Sequence, residues 1–231
     1  MTTSIEADRV LDNPAWLALH GEHARFAQVN GLAARYHSDV APFHALGDPD
    51  DRQAWNDLDA FVPPGESVML AGLGARPGPG WAVERSIDGV QLVDVSLRAE
   101  PDPSLVVLTA EDVPEILDLI ARTQPGPYLR RTVELGTYLG LRDDGRLIAM
   151  AGERLHPPGW TEISAVCTDA AYRGRGLATR LIRAVAAGIR ARGETPFLHT
   201  GAANVSAIRL YEKLGFALRR SVDFTAYRRL T

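Results

Sequence analysis

Ser164-Ala165-Val166-Cys167-Thr168-Asp169-Ala170-Ala171-Tyr172-Arg173-Gly174-Arg175-Gly176-Leu177-Ala178-Thr179-Arg180-Leu181 decides how the chain is read. Ile163 to Thr168 is a β-branched and apolar run of strand length. Leu177, Leu181, Val185 and Ile189 recur every fourth residue, as one stripe of a helix does. Between the two stand Gly174 and Gly176. Glycine lets the backbone turn sharply and approach a ligand closely, so successive N–H groups point into one hollow at the positive end of the helix that follows. Strand, glycine loop and helix in that order make an anion site, suited to a pyrophosphate.

Composition agrees with a folded protein that handles a small anion. A chain of 231 residues with 45% hydrophobic content can bury a sizeable core as one large domain or two small ones. A net charge of −4 opposes a dedicated nucleic-acid binder. Its one basic concentration, Arg173, Arg175, Arg180, Arg183, Arg190 and Arg192, lies on the loop and the helix after it, where it adds a local positive field to the anion site. Arg183 and Arg190, seven apart, read as a solvated helix face. A single cysteine, Cys167, allows no intramolecular disulfide and no thiolate-rich metal site; its apolar neighbours make it a buried strand thiol. Met1 to Asn13 carries acids and no apolar segment, and no run reaches membrane-spanning length, so the expectation is a cytoplasmic protein with no membrane or nucleic-acid partner. His20 and His23 could share a helix face, but no further ligand completes a metal set, and no metal is expected.

Arg173, Gly176 and Ala178 follow the spacing Arg/Gln-x-x-Gly-x-Gly/Ala, and Asn204-Val205-Ser206-Ala207-Ile208-Arg209-Leu210-Tyr211-Glu212-Lys213-Leu214-Gly215-Phe216 follows Asn-x-x-Ala-x-x-x-Tyr-x-x-x-Gly-Phe. Together, in this order, they resemble the coenzyme A loop and the tyrosine segment of the GNAT superfamily of N-acetyltransferases. The resemblance covers roughly Leu105 to Thr231. It implies an α/β (α+β) fold with a mixed, mostly antiparallel sheet flanked by helices. The Tyr172-Arg173-Gly174-Arg175-Gly176-Leu177-Ala178 spelling and the large preceding half resemble the bacterial branch related to glycine N-acyltransferases.

Pro101-Asp102-Pro103 is the best boundary, since prolines two apart resist both helix and ladder. It divides an N-terminal domain, 1–103, from a catalytic GNAT-like domain, 104–231. In the second, Leu105 to Leu108 reads as a strand and Thr109 to Asp112 as a capping box before the stripe Val113, Ile116, Leu117, Ile120. Asp143-Asp144-Gly145-Arg146 reads as a hairpin turn. In the first half, Val10 to Ala60 reads as mainly helical, and Ser67–Leu73, Trp81–Glu84 and Val90–Leu97 as short strands. That half is expected to be a degenerate copy of the second, with its layout and without its cofactor loop.

The resemblance implies direct acyl transfer from acetyl-CoA to a primary amine of a small molecule, amino acid or peptide. Arg173, Gly174, Arg175, Gly176, Leu177, Ala178 and Thr179 would hold the pyrophosphate. Val166 and Thr168 would pair with pantetheine through their backbones, and Asn204 would cap its helix and bond the cofactor. Tyr211 would protonate the leaving thiolate, which a phenol near pKa 10 can do. For the base, Glu162 is the first choice because residues 162, 164 and 166 share one strand face; Glu153 and a water chain are the alternatives. A non-catalytic acyl-CoA sensor is the competing function, and a homodimer is a possible assembly.

Overall fold

The computed structural model describes residues 9–71 and 74–231; Met1 to Asp8 of the targeting reading, and residues 72–73 of the strand expected to end at Leu73, lie outside them. The first half contributes helix α1 (Pro14–Leu19), strands β1 (Ala27–Asn30), β2 (Ala33–Tyr36) and β3 (Phe43–Leu46), helix α2 (Arg52–Leu58), and strands β4 (Ser67–Ala71) and β5 (Trp81–Asp94). The second half contributes β6 (Val106–Leu108), α3 (Val113–Thr123), β7 (Tyr138–Asp143), β8 (Arg146–Glu153), β9 (Trp160–Thr168), α4 (Leu177–Ala191), β10 (Thr195–Gly201), α5 (Val205–Leu214) and β11 (Phe216–Arg229).

All strands join one sheet in the order β1-β2-β3-β4-β11-β5-β10-β9-β8-β7-β6. This is the mixed, mostly antiparallel sheet flanked by helices that the resemblance implied. Its order also has a symmetry. Strand β3 runs parallel to β4 with α2 in the crossover, and β9 runs parallel to β10 with α4 in the crossover. Each half then places its last strand beside the other half: β11 pairs with β4, β5 pairs with β10, and the two exchanged strands pair with each other along almost their whole length. Pro101 to Pro103 lies between elements, yet the sheet passes unbroken from one half to the other.

The cores follow the same plan. Helix α4 buries Leu181, Ile182, Val185, Ala186 and Ile189 in a cluster with Ile148, Ile163, Leu198 and Leu92, the last of these on β5. Each Leu, Ile or Val among them contributes roughly 1.5–3 kcal/mol by leaving water. A second cluster joins Leu19, Phe26, Tyr36 and Phe43 to Leu135, Leu155 and Phe197, so apolar burial also ties the halves together. Thr109 and Asp112 form the expected capping box, and the β7–β8 hairpin turns through Asp144 and Gly145 at φ +47° and +79°.

Two local readings are corrected. Residues 10–60 are not mainly helical: three strands lie between α1 and α2. The overlooked signal is Asn30-Gly31, which closes a tight β1–β2 hairpin with Asn30 opposite Ala33 and Gly31 at φ +53°. Trp81–Glu84 and Val90 to Asp94 are not separate strands but parts of the 14-residue β5, continuous because β11 supplies a partner along it; Val95 to Leu97 lie beyond its end.

Candidate active site

The site begins where β9 and β10 part. Their parallel pairing stops at Glu162–Phe197. Just beyond, Ala165 has φ +52°, and the register against β8 shifts between Met150–Cys167 and Gly152–Ser164. The bulge bends β9 away from β10 and opens a cleft of about 1240 Å³.

At one end of the cleft the chain turns through Gly174 and Gly176, both left-handed at φ +77° and +74°. Gly176 is the N-cap of α4, whose first-turn N–H groups have no partner inside the helix. A Cβ on either glycine would meet nothing within 4 Å, so the loop borders open space. An adjoining hollow of about 270 Å³ is lined by Thr168, Arg173, Gly174, Gly176, Leu177, Ala178 and Thr179. Free N–H donors, a helix of 15 residues pointing its positive end outward and the Arg173 side chain fit a pyrophosphate.

Across the cleft, Val166, Asn204 and Tyr211 complete the set of sequence-predicted residues that line it. Asn204 caps α5 by accepting the Ala207 N–H at 3.3 Å. The Tyr211 ring is only 8% exposed, and burial pushes its phenol up to about 12, so the proton stays on Oη at neutral pH. Burial likewise pushes the Cys167 thiol up, which keeps it protonated and poor as a nucleophile.

The structure places other predicted residues differently. Arg175 lines neither hollow with its side chain; its guanidinium lies 4.9 Å from the Tyr172 ring centre and donates to the Ala171 carbonyl. Half of the arginine field is also neutralised. Arg180 pairs with Asp102, Arg190 with Asp94, and Arg192 with Glu153 and Glu194.

Glu162 and Glu153 do not line the cleft. Glu162 is fully buried and receives two N–H groups of Arg154 at 2.8 and 2.6 Å and Nδ1–H of His199 at 2.7 Å. Arg154 chiefly, with His199, outweighs the desolvation of this carboxyl and holds it at about 2. Such a carboxylate has little basicity left for a substrate ammonium. Glu153, 2% exposed, binds Arg192 and the Thr137 N–H. The expectation failed because the bulge at Ala165 breaks the two-residue alternation that put residues 162 and 166 on one face.

His199 lines the cleft with both ring nitrogens engaged. Arg219 donates to Gln91 Oε1, so the Gln91 amide nitrogen faces the Leu11 carbonyl and His199 Nε2, at 2.9 and 3.0 Å. Nδ1 therefore carries the ring proton toward Glu162.

The end of the cleft away from the glycine loop is built largely by the first half. Phe43, Met69, Ala226 and Arg85 are successive cross-strand neighbours on β3, β4, β11 and β5. Phe43, Met69 and Arg85 line the cleft, and Arg154 stacks over the Phe43 ring at 5.0 Å. These residues carried no motif in the sequence; only their sheet register collects them. Among the described residues, no group of three or more metal-ligating side chains occurs, and no helix is long and apolar enough to cross a membrane.

Comparison with known proteins identifies this arrangement. Residues 138–225 match the model of the FR47-like protein family. A mycothiol acetyltransferase from Corynebacterium glutamicum is 37% identical over 84 residues, 36% of this chain and 29% of the relative. N-alpha-acetyltransferase RimI from Mycobacterium tuberculosis is 38% identical over 82 residues, 34% of this chain and 51% of the relative. The matches thus span about half or less of these curated relatives. A crystal structure from Novosphingobium aromaticivorans, described as a putative acetyltransferase of the GNAT family, is 40% identical, covering 96% of this chain and 99% of that one, with a TM-score of 0.87. With that likeness along nearly the full length, and a glycine loop at the parting of two parallel strands, this chain belongs to the GNAT family of acetyltransferases.

Proposed function

We propose that this protein moves an acetyl group from acetyl-CoA to a primary amine by direct transfer. The observation that carries the reading is that Tyr211, its phenol raised to about 12, shares one cleft with the open glycine loop. Arg173, Gly174, Gly176, Leu177, Ala178 and Thr179 would hold the pyrophosphate, with Val166 and Thr168 along the parted strand and Asn204 opposite. When bound, acetyl-CoA supplies an activated acetyl thioester and a thiolate leaving group. Tyr211 Oη holds the proton that the thiolate needs. Among the described residues no carboxylate lines the cleft, so in this reading water takes the proton from the amine. Arg85 and Arg173 favour the neutral amine by their positive field. Glu162 fixes Arg154 and His199 and does not act as base.

The two parted parallel pairs and the exchanged last strands support reading residues 1–103 as a degenerate copy of 104–231. The loop spelling and this paired layout support the branch resembling glycine N-acyltransferases; the relatives named for mycothiol and for an N-alpha-amine support an amine acceptor without favouring glycine.

Calorimetric titration with acetyl-CoA, against dephospho-CoA and ATP, tests the loop, and thiol release with an amine panel tests transfer. Tight binding with no release for any amine would make the protein an acyl-CoA sensor. No binding would remove both readings.

A further inference from the structure

We propose that the amine acceptor also carries a carboxylate, held by Arg85 and Arg154 at the end of the cleft remote from the glycine loop, with an apolar substituent on the row between them. This rests on the transfer reading above and names its substrate class. Among the described residues, three arginines and no aspartate or glutamate line the cleft. Arg173 belongs to the pyrophosphate end, which leaves Arg85 and Arg154 for another ligand group. Arg85 is exposed and, among the described residues, has no ion-pair partner. The carboxylates on the neighbouring β5 and β11 residues do not answer it: Glu84 pairs with Arg228, and Asp223 accepts from Thr225 and the Gly74 N–H.

Arg154 is held by a two-point bridge to the buried Glu162 and by the face of Phe43. That bridge uses Nε and Nη2, and Nη1 remains as a donor on a residue that lines the cleft. A rigid planar fork suits a carboxylate. Between the two arginines the register sets Phe43, Met69 and Ala226 side by side, an apolar strip. A bare alkylamine would leave Arg85 facing an ammonium with no anion nearby. An amino acid with an apolar side chain presents carboxylate, amine and apolar surface together.

The experiment measures thiol release from acetyl-CoA with each standard amino acid and with its primary carboxamide. The expected result is that at least one amino acid, with an apolar side chain, exceeds its amide by about a hundredfold in kcat/KM. In Arg85→Gln the ratio of acid to amide should fall about tenfold, through KM for the acid. Arg85 is exposed, so this variant folds even if Arg154→Lys does not. Amides used as well as acids, or an unchanged ratio in Arg85→Gln, would overturn the proposal. So would no release from either series, and thiol release with amines that lack a carboxylate then tells whether the transfer reading survives.

Discussion

The loop after β3 and the loop after β9 occupy matching places, each joining the first strand of a parallel pair to the helix that crosses to the second. After β9 the chain runs through two left-handed glycines into a helix of 15 residues and borders open space. After β3 it runs through Gly47-Asp48-Pro49-Asp50-Asp51 into a helix of seven residues, with the Asp51 carboxylate accepting the Gln53 N–H. Aspartates there satisfy the helix end themselves and repel a phosphate. The space over the sheet differs as well. In the first half Trp55 is fully buried against Trp81 and Tyr227, with ring centres 5.7 and 5.1 Å away, and its Nε1–H donates to the Pro49 carbonyl. Similar scaffolding thus yields a groove where glycines and a bulge hold strands apart, and a packed core where an indole fills the gap.

Substitutions can break that contrast. Gly176→Glu brings a side chain and a negative charge to the open loop, and like-charge contact costs several kcal/mol, so acetyl-CoA affinity should fall by more than about a hundredfold in calorimetry while the melting curve stays cooperative. Trp55→Ala should cost about 3–5 kcal/mol in urea unfolding, as for a large aromatic removed from a core, without creating a second acetyl-CoA site. An added binding stoichiometry would show that the indole alone closes a working groove.

Glu162→Ala should also destabilise by about 3–5 kcal/mol, because it leaves Arg154 buried and unpaired. The pH dependence has a definite sign. Glu162 sits at about 2 in the folded protein, below its ordinary value of 4.5, so its contribution is present above pH 4.5 and is lost as pH falls toward 2. The wild-type urea midpoint should drop across that window more steeply than that of Glu162→Ala. Equal slopes would mean that the carboxylate is not held by Arg154 in solution.

Tyr211→Phe keeps the packing and removes the proton on Oη. Turnover should fall about a hundredfold, with calorimetric acetyl-CoA affinity within about twofold of wild type. Parallel loss of both would show that Tyr211 holds the cofactor rather than the proton. The smallest effect is expected for Asp50→Lys, an exposed change in the first-half loop, which should alter stability by no more than about 0.5 kcal/mol and leave acetyl-CoA binding untouched. Newly gained affinity would show that charge, and not shape, silenced that loop.

Much of the second half is legible in its residues alone. The glycine loop, α4, α5 with its tyrosine, the capping box at Thr109 and the turn at Asp144-Gly145 are encoded by residues within a few positions of one another, and local steric preference suffices to read them. The hairpin at Asn30-Gly31 carries an equally local signal, hidden by the alanines and histidines around it, which suit helix and strand alike. Glu162 shows where local reading ends. Its place on the strand that leads to the loop is readable, but a one-residue bulge reverses the face count.

By itself the sequence determined the glycine loop and the helices that carry Ala178 and Tyr211, because backbone conformation at glycine and helical spacing are short-range properties. Only the tertiary structure decided that β5 pairs with β10 and β11 with β4, that Glu162 lies beneath Arg154 instead of in the cleft, and that Phe43, Met69 and Arg85 form its far wall. Those outcomes depend on register between strands far apart in the chain, and no local preference encodes which distant strand will supply a backbone partner.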